Sequence, residues 1–231
     1  MTRNPSDVWR GYGRVAMLVL TVLFAVGVAG HAVESTFPLM MFLTPGFLVL
    51  TSVLVVAPAL AADRWRFTAW LAGTYGFTFA AEAAGVATGA VFGEYVYGPT
   101  LGWAWLGVPL VIAFNWAVVV HGCVALAGWL VPAGTGLIRT SAVSLLAGGG
   151  AVAFDWVMEP LAIRLDYWTW AGGDIPLQNY AAWFVIAAVV APFHPRVRRG
   201  DREMGTAESL AVFFVAAQVV FFILLRRVLA S

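Results

Sequence analysis

Seven long apolar runs, separated by short polar, proline-rich or glycine-rich breaks, cover most of the 231 residues. This feature narrows the choice of fold more than any other. A membrane-spanning helix needs about 20 mainly apolar residues. Within hydrocarbon the backbone must satisfy its own hydrogen bonds, which continuous helices do. Charged residues make up only 11% of the chain and mean hydropathy is +0.86, whereas a soluble domain carries about 25% charged residues. The expectation is an all-α fold: a polytopic membrane helix bundle of about seven transmembrane helices, forming a single integral membrane domain over residues 1–231.

The runs have readable limits. Arg3, Arg10 and Arg14 precede Val15 to about Ala32, which resembles a signal peptide with a weak cleavage site at Ala29-Gly30-His31-Ala32. The run is longer than a signal core and further spans follow, so it is read as an uncleaved first helix. Pro38 to about Ala62, Phe67 to about Val91, Val108 to Val131, Thr140 to Ile163, a run from near Pro176 to before Pro192, and Thr206 to Leu225 follow. With seven spans, one side collects Arg3, Arg10, Arg14, Arg64, Arg66, Arg139, Arg196, Arg198, Arg199 and Arg202; the other holds Arg164, Arg226 and Arg227. Positive charge concentrates on the cytoplasmic side. The reading is therefore a multi-pass protein of the cell membrane, N-terminus cytoplasmic and C-terminus outside.

Several classes drop out. No basic tract is made for nucleic acid. The one cysteine, Cys123, lies inside a run, so neither a disulfide framework nor a thiolate metal cluster is available. His31, His121 and His194 are far apart in sequence and lack ligand spacing. All 13 basic residues are arginine; without a lysine there is no retinal Schiff base.

Outer loops share a plan. Phe37-Pro38-Leu39, Val108-Pro109-Leu110 and Ile175-Pro176-Leu177 each lead into a helix, and proline suits a first helical position. Trp116 and Trp183 each stand seven residues past a proline. Glu82 corresponds to Asp155, and Tyr95-Val96-Tyr97 to Trp168-Thr169-Trp170. The pattern predicts repeated helical hairpins at about 67–131 and 140–191, closed by a helix at about 206–225.

Acidic residues inside these runs mark the candidate site, because an ionisable group within a membrane is costly and is a functional-site hypothesis by default. Glu82 lies 15 residues past Phe67 and Asp155 lies 15 past Thr140, which places both about 22 Å into a core of roughly 30 Å. Asn115 lies at a similar level, and Glu159 one turn beyond Asp155 on the same face. Glu159 has Arg164 five residues on as a candidate ion partner. Glu94, Asp166 and Asp174 read as solvated or capping loop residues, and His121 as structural. Gly85, Gly89 and Gly93 read as a double GxxxG on one helix, and Gly148-Gly149-Gly150 thins another, so that the two acids' helices pack closely. Aromatic residues crowd the same outer loops: Tyr95, Tyr97, Trp103, Trp105, Tyr167, Trp168, Trp170 and Tyr180. They suit an interfacial belt, the roof of a pocket, or packing around a polyene.

At these residues the chain resembles the membrane carotenoid 1,2-hydratases of the CruF type, bisanhydrobacterioruberin hydratase among them. The likeness runs from about Phe67 to Val190. It rests on Glu82 with Gly85, Thr88-Gly89 and Phe92-Gly93-x-Tyr95-x-Tyr97, then Gly107-Val108-Pro109. It continues with Asp155-x-x-x-Glu159-Pro160, Tyr167-Trp168-x-Trp170 and Ile175-Pro176-Leu177-x-Asn179-Tyr180-x-x-Trp183. Ala182 departs from the pattern, where glycine is frequent. The resemblance implies water addition across the terminal isopropylidene double bond of a ψ-ended carotenoid, with carotenoid and water as partners in the bilayer and with no cofactor or metal. Asp155 and Glu82 are the expected catalytic pair, Asp155 as the acid, with Asn115 and Glu159 holding water or tuning the pair. Tyr95, Tyr97, Trp116, Tyr167, Trp168, Asn179 and Trp183 are the expected substrate-binding residues. Two rivals stand beside this reading: a lycopene cyclase of the related membrane type, and a proton-coupled transporter.

Overall fold

The computed structural model describes residues 5–229; Arg3 and Ser231 lie outside them. Most of the chain is α-helix: α1 (Pro5–Ala32), α2 (Phe37–Ala62), α3 (Arg64–Thr88), α4 (Leu110–Leu130), α5 (Leu137–Arg164), α6 (Leu177–Val190), a five-residue α7 (Pro195–Arg199) and α8 (Thr206–Val228). Helices α1, α2, α4, α5 and α8 are long and apolar enough to cross a membrane. This is an all-α membrane protein. Helix α3 has 25 residues but is diluted by Arg64, Arg66, Thr74, Thr78 and Glu82. Helix α6 has 14 residues, with a 3₁₀ turn adding residues 191–193.

Helix α4 is the centre. It packs against α2, α3, α5 and α8 and is buried along nearly its whole length, from Val111 to Gly128. Being apolar all round is what a helix at the middle of such a bundle requires. The outer helices instead keep one apolar face free: Phe42, Leu145, Trp156 and Val185 are exposed. Helix α5 meets α6 closely because Gly148 lets it approach; a Cβ there would sit 2.9 Å from the Phe184 carbonyl oxygen.

One end of the bundle is laced by arginines donating to carbonyl oxygens. Arg139 reaches Pro132, Gly128 and Asp201. Arg196 reaches Glu203 at 2.6 Å and Arg202 at 2.9 Å, and pairs with Glu208 at 3.5 Å. Arg199 pairs with Asp63. At this end His121 and His194 meet, with Nδ1 of one 3.0 Å from Nε2 of the other. Their 73-residue separation in sequence hid that contact.

The other end holds the aromatic loops, and they are more ordered than expected. β1 (Tyr95–Tyr97) pairs antiparallel with β4 (Trp168–Trp170), Tyr95 opposite Trp170 and Tyr97 opposite Trp168. A second small ribbon pairs β2 (Ala104–Trp105) with β3 (Val108–Pro109). Pro109 and Pro176 stand at the N-caps of α4 and α6 with nearly the same extended geometry, φ −63° and −66°.

The glycines act differently from the double GxxxG expected of them. Helix α3 ends at Thr88, and Gly89 is its left-handed C-cap, φ 67°, a position where glycine avoids a Cβ clash. Gly93 lies beyond the helix with φ 105°, so Gly85, Gly89 and Gly93 form no single helical face. Instead they let the chain fold back over the helix end. Gly85 makes room for Phe92, and Gly93 for Pro176.

The two loops meet most tightly at Gly98. Its N–H donates to the Tyr167 carbonyl at 2.9 Å, and a Cβ would fall 2.1 Å from the Asp166 carbonyl oxygen. Gly98→Ala therefore forces the loops apart, at a cost of about 1–3 kcal/mol. Gly172, with nothing within 4 Å of its would-be Cβ, is the control. Thermal unfolding in detergent, followed by tryptophan fluorescence, is expected to show a clearly lowered midpoint for Gly98→Ala and an unchanged one for Gly172→Ala.

Candidate active site

Three carboxyl groups are buried together: Asp155, Glu159 and Glu82 are 0%, 1% and 3% exposed. Carboxyls taken out of water need hydrogen-bond donors, and the fold brings them from three places. Asp155 and Glu159 sit one turn apart on α5. Asn179, in the first turn of α6, bridges them: its Nδ2 donates to Asp155 Oδ2 at 2.7 Å and to Glu159 Oε1 at 3.2 Å. The indole N–H groups of Trp168 and Trp170 donate to Glu159 Oε2 at 3.0 and 3.1 Å. The hydroxyls of Tyr95 and Tyr97 donate to Glu82 Oε2, that of Tyr97 at 2.7 Å.

The ribbon explains why these donors converge. Alternate residues of a strand face one side, so Tyr95 with Tyr97, and Trp168 with Trp170, turn inward together. Val96 and Thr169 between them are exposed. Burial, and then the neighbouring Glu82 carboxylate, hold both tyrosine hydroxyls well above their usual range. They therefore stay protonated and act as donors.

After this pairing Asp155 Oδ1 is left buried with no hydrogen-bond partner. Asp155 lines a space of about 20 Å³, enough for about one water molecule. Glu82, Glu159, Asn179, Tyr95, Tyr97 and Trp168 share the lining with it. Trp116 and Trp183 also line it, with rings stacked at a centroid distance of 3.6 Å and an interplanar angle of 14°. Glu82 and Asp155 thus share one cavity, though their helices scarcely touch. Helices α4 and α6 fill the space between α3 and α5, and the loops, rather than glycine-mediated helix contact, complete the enclosure.

Other residues lie elsewhere. Asn115 is buried in a neighbouring cavity, where its Oδ1 accepts from Gln218 Nε2 at 3.3 Å. Tyr167 lines that second cavity too. Glu159 does not pair with Arg164, which is exposed; Pro160 continues the helix and Glu159 points inward to the indoles. Glu94, Asp166 and Asp174 are exposed loop residues, as expected. Trp103 and Trp105 face outward, while Tyr180 is half-buried. Two residues escaped the sequence reading of the site. Trp170 bonds Glu159 as Trp168 does, and the alternation of Trp-Thr-Trp was the available signal. Gln218 is a lone amide in an apolar helix, visible by the same depth argument that picked out Asn115. Among the described residues no group of three or more His, Cys, Asp or Glu is arranged to hold a metal ion.

The chain matches a family model described as carotenoid biosynthesis protein over residues 43–231. It belongs to that family. No curated protein and no solved structure matches it. The family suggests a role in carotenoid metabolism. The site just described fits such company, being three carboxyls closed in by aromatic rings at one end of a membrane bundle.

Proposed function

We propose that the protein is a carotenoid 1,2-hydratase that adds water to the terminal isopropylidene double bond of a ψ-ended carotenoid. The observation that carries this reading is the free Oδ1 of Asp155, on a residue that lines a space for one water among carboxyls held by phenol, indole and amide donors. An unactivated alkene needs a well-placed acid, and a buried carboxylic acid is a suitable general acid. Asp155 delivers its proton from Oδ1 to carbon 2, and the π electrons form that C–H bond, leaving a tertiary cation at carbon 1. Glu159, held by three N–H donors, and Glu82, held by two phenols, present fixed negative charge to that cation. Water adds to carbon 1, and its surplus proton returns to Asp155. The net change is alkene plus water to tertiary alcohol, with no redox partner.

Trp116, Trp168 and Trp183 supply flat apolar walls for the alkene end, and Tyr95, Tyr97 and Asn179 keep the carboxyls in place. Asn115 lies one cavity away, paired with Gln218, and takes no direct part in this step. A related cyclase would form the same cation and quench it with an internal double bond. The water-sized space beside Asp155 favours hydration over that route.

The test is expression in a lycopene-making host with product analysis. The intact protein is expected to yield a carotenoid heavier by one water per modified end. Asp155→Asn should abolish the product while the protein accumulates normally in membranes, because an amide keeps the shape but cannot donate the proton. Glu82→Gln should lose about 10²-fold or more, the scale of a lost acid–base group. Full activity in Asp155→Asn would end this assignment, and an unchanged carotenoid would return attention to transport.

The same reading places seven spans in the cell membrane, α3 and α6 included, as two hairpin repeats and a closing helix in one membrane domain. Supporting it are the pairing of β1 with β4, the matched Pro109 and Pro176 caps and the stacking of Trp116 on Trp183. Each joins residues at corresponding positions of the two hairpins. Reporter fusions after Arg66, Arg139 and Arg202 should report cytoplasm, and one after Ser231 the outside. A cytoplasmic C-terminus would contradict the seven-span topology.

A further inference from the structure

The carboxyl cavity poses a problem that the chemistry alone does not solve. Its free space of about 20 Å³ takes a water, and the chain that carries the alkene must lie elsewhere. A second cavity of about 350 Å³ lies beside it, walled by α1, α2, α4, α5 and α8, within the roughly 300–1,000 Å³ typical of small-molecule sites. The two are neighbours that share Trp168, which lines both. Met158, one residue before Glu159 on α5, also lines the larger one.

The character of this second cavity is specific. Phe24, Phe47, Phe221 and Phe222 line it. Val26 of α1 and Leu43 and Leu50 of α2 line it and are themselves exposed, so it opens sideways between α1 and α2 toward the hydrocarbon. It is not uniformly greasy. His31 and Gln218 line it, are 7% and 2% exposed, and leave Nε2 and Oε1 without partners. His31 Nδ1 donates to the Gly27 carbonyl, so its Nε2 is an acceptor, as Gln218 Oε1 is. Buried acceptors left unpaired are costly, so they belong with a hydroxyl or water in the cavity that donates to them.

We infer that this lateral cavity is the berth for the polyene arm of the carotenoid. The inference rests on the hydratase reading and deepens it. The chain enters from the bilayer between α1 and α2 and lies along the phenylalanines. Its terminal alkene passes Trp168 to reach Asp155. His31 Nε2 and Gln218 Oε1 accept from a water or hydroxyl beside the chain.

Gly46 of α2 lies on the cavity's rim, exposed, with nothing within 4 Å of a would-be Cβ. Gly46→Leu therefore fills the berth without a clash. Val26→Trp fills it from the α1 side. Gly73→Leu is the control, since Gly73 also has open space around it but lies in a separate cavity beside Arg66 and Trp70. The experiment measures lycopene bound per protein in nanodiscs by visible absorbance. Wild type and Gly73→Leu are expected to bind alike, and Gly46→Leu and Val26→Trp about tenfold or more weakly, the effect of about 1.4 kcal/mol. Equal binding by all four proteins, equal loss in all three variants, or no binding by wild type would overturn the berth. Binding lost as expected, in a wild type that leaves lycopene unaltered, would sustain the berth and refute the hydratase reading instead.

Discussion

Burying three carboxyl groups in one place inside a membrane bundle is costly unless each finds donors, and the rest of this structure is arranged around supplying them. Asn179, two indoles and two phenols do so. Four of those five donors ride on one antiparallel ribbon, β1 with β4. The ribbon exists only because the chain can fold back past α3 and α5. Gly89 caps α3, Gly93 makes room for Pro176, and Gly98 lets two backbones touch. Breaking a buried charge's partners costs several kcal/mol, so the loops are as much a part of the site as the helices that bear the acids.

The arrangement separates two tasks. Glu82 and Glu159 have their donors fixed on Oε2, and Glu159 has its other oxygen tied to Asn179 as well. Asp155 alone keeps a buried oxygen with nothing to bond. The Arg139 and Arg196 networks at the opposite end of the bundle also leave one buried nitrogen each unpaired, Arg139 Nη1 and Arg196 Nε; what sets Asp155 apart is that it lines a cavity with two further acids. In the proposed hydration, this unpaired acid oxygen is the one that protonates the double bond.

Much of this was legible in the sequence because it rests on short-range rules. Apolar run length gave the helices to within a few residues, except that α1 starts at Pro5, ten residues before the expected Val15, and proline marked the starts of α4 and α6. Depth along α3 and α5 picked out Glu82 and Asp155. Long-range partners were not legible. His121 and His194 carry no mutual signal, and Glu159, for which Arg164 was the candidate partner, instead meets two indoles. The double GxxxG failed because glycine spacing is the same whether a helix continues or ends; the left-handed Gly89 decided it. Asn115 and Asp155 share a depth but not a cavity, since depth fixes height in the bundle and says nothing of azimuth. The ribbon was written as alternation in Tyr-Val-Tyr and Trp-Thr-Trp, which short loops make easy to read as a mere aromatic belt.

The central claim is that Asp155 protonates a terminal alkene and that water, rather than a neighbouring double bond, captures the cation. Isotopic origin tests it most directly. Membranes carrying the protein are given lycopene in water labelled with heavy oxygen and, separately, in deuterium oxide, without oxygen gas or reductant. The account predicts one heavy oxygen and one carbon-bound deuterium per modified end. Deuterium without heavy oxygen would contradict it and assign the site to cyclisation.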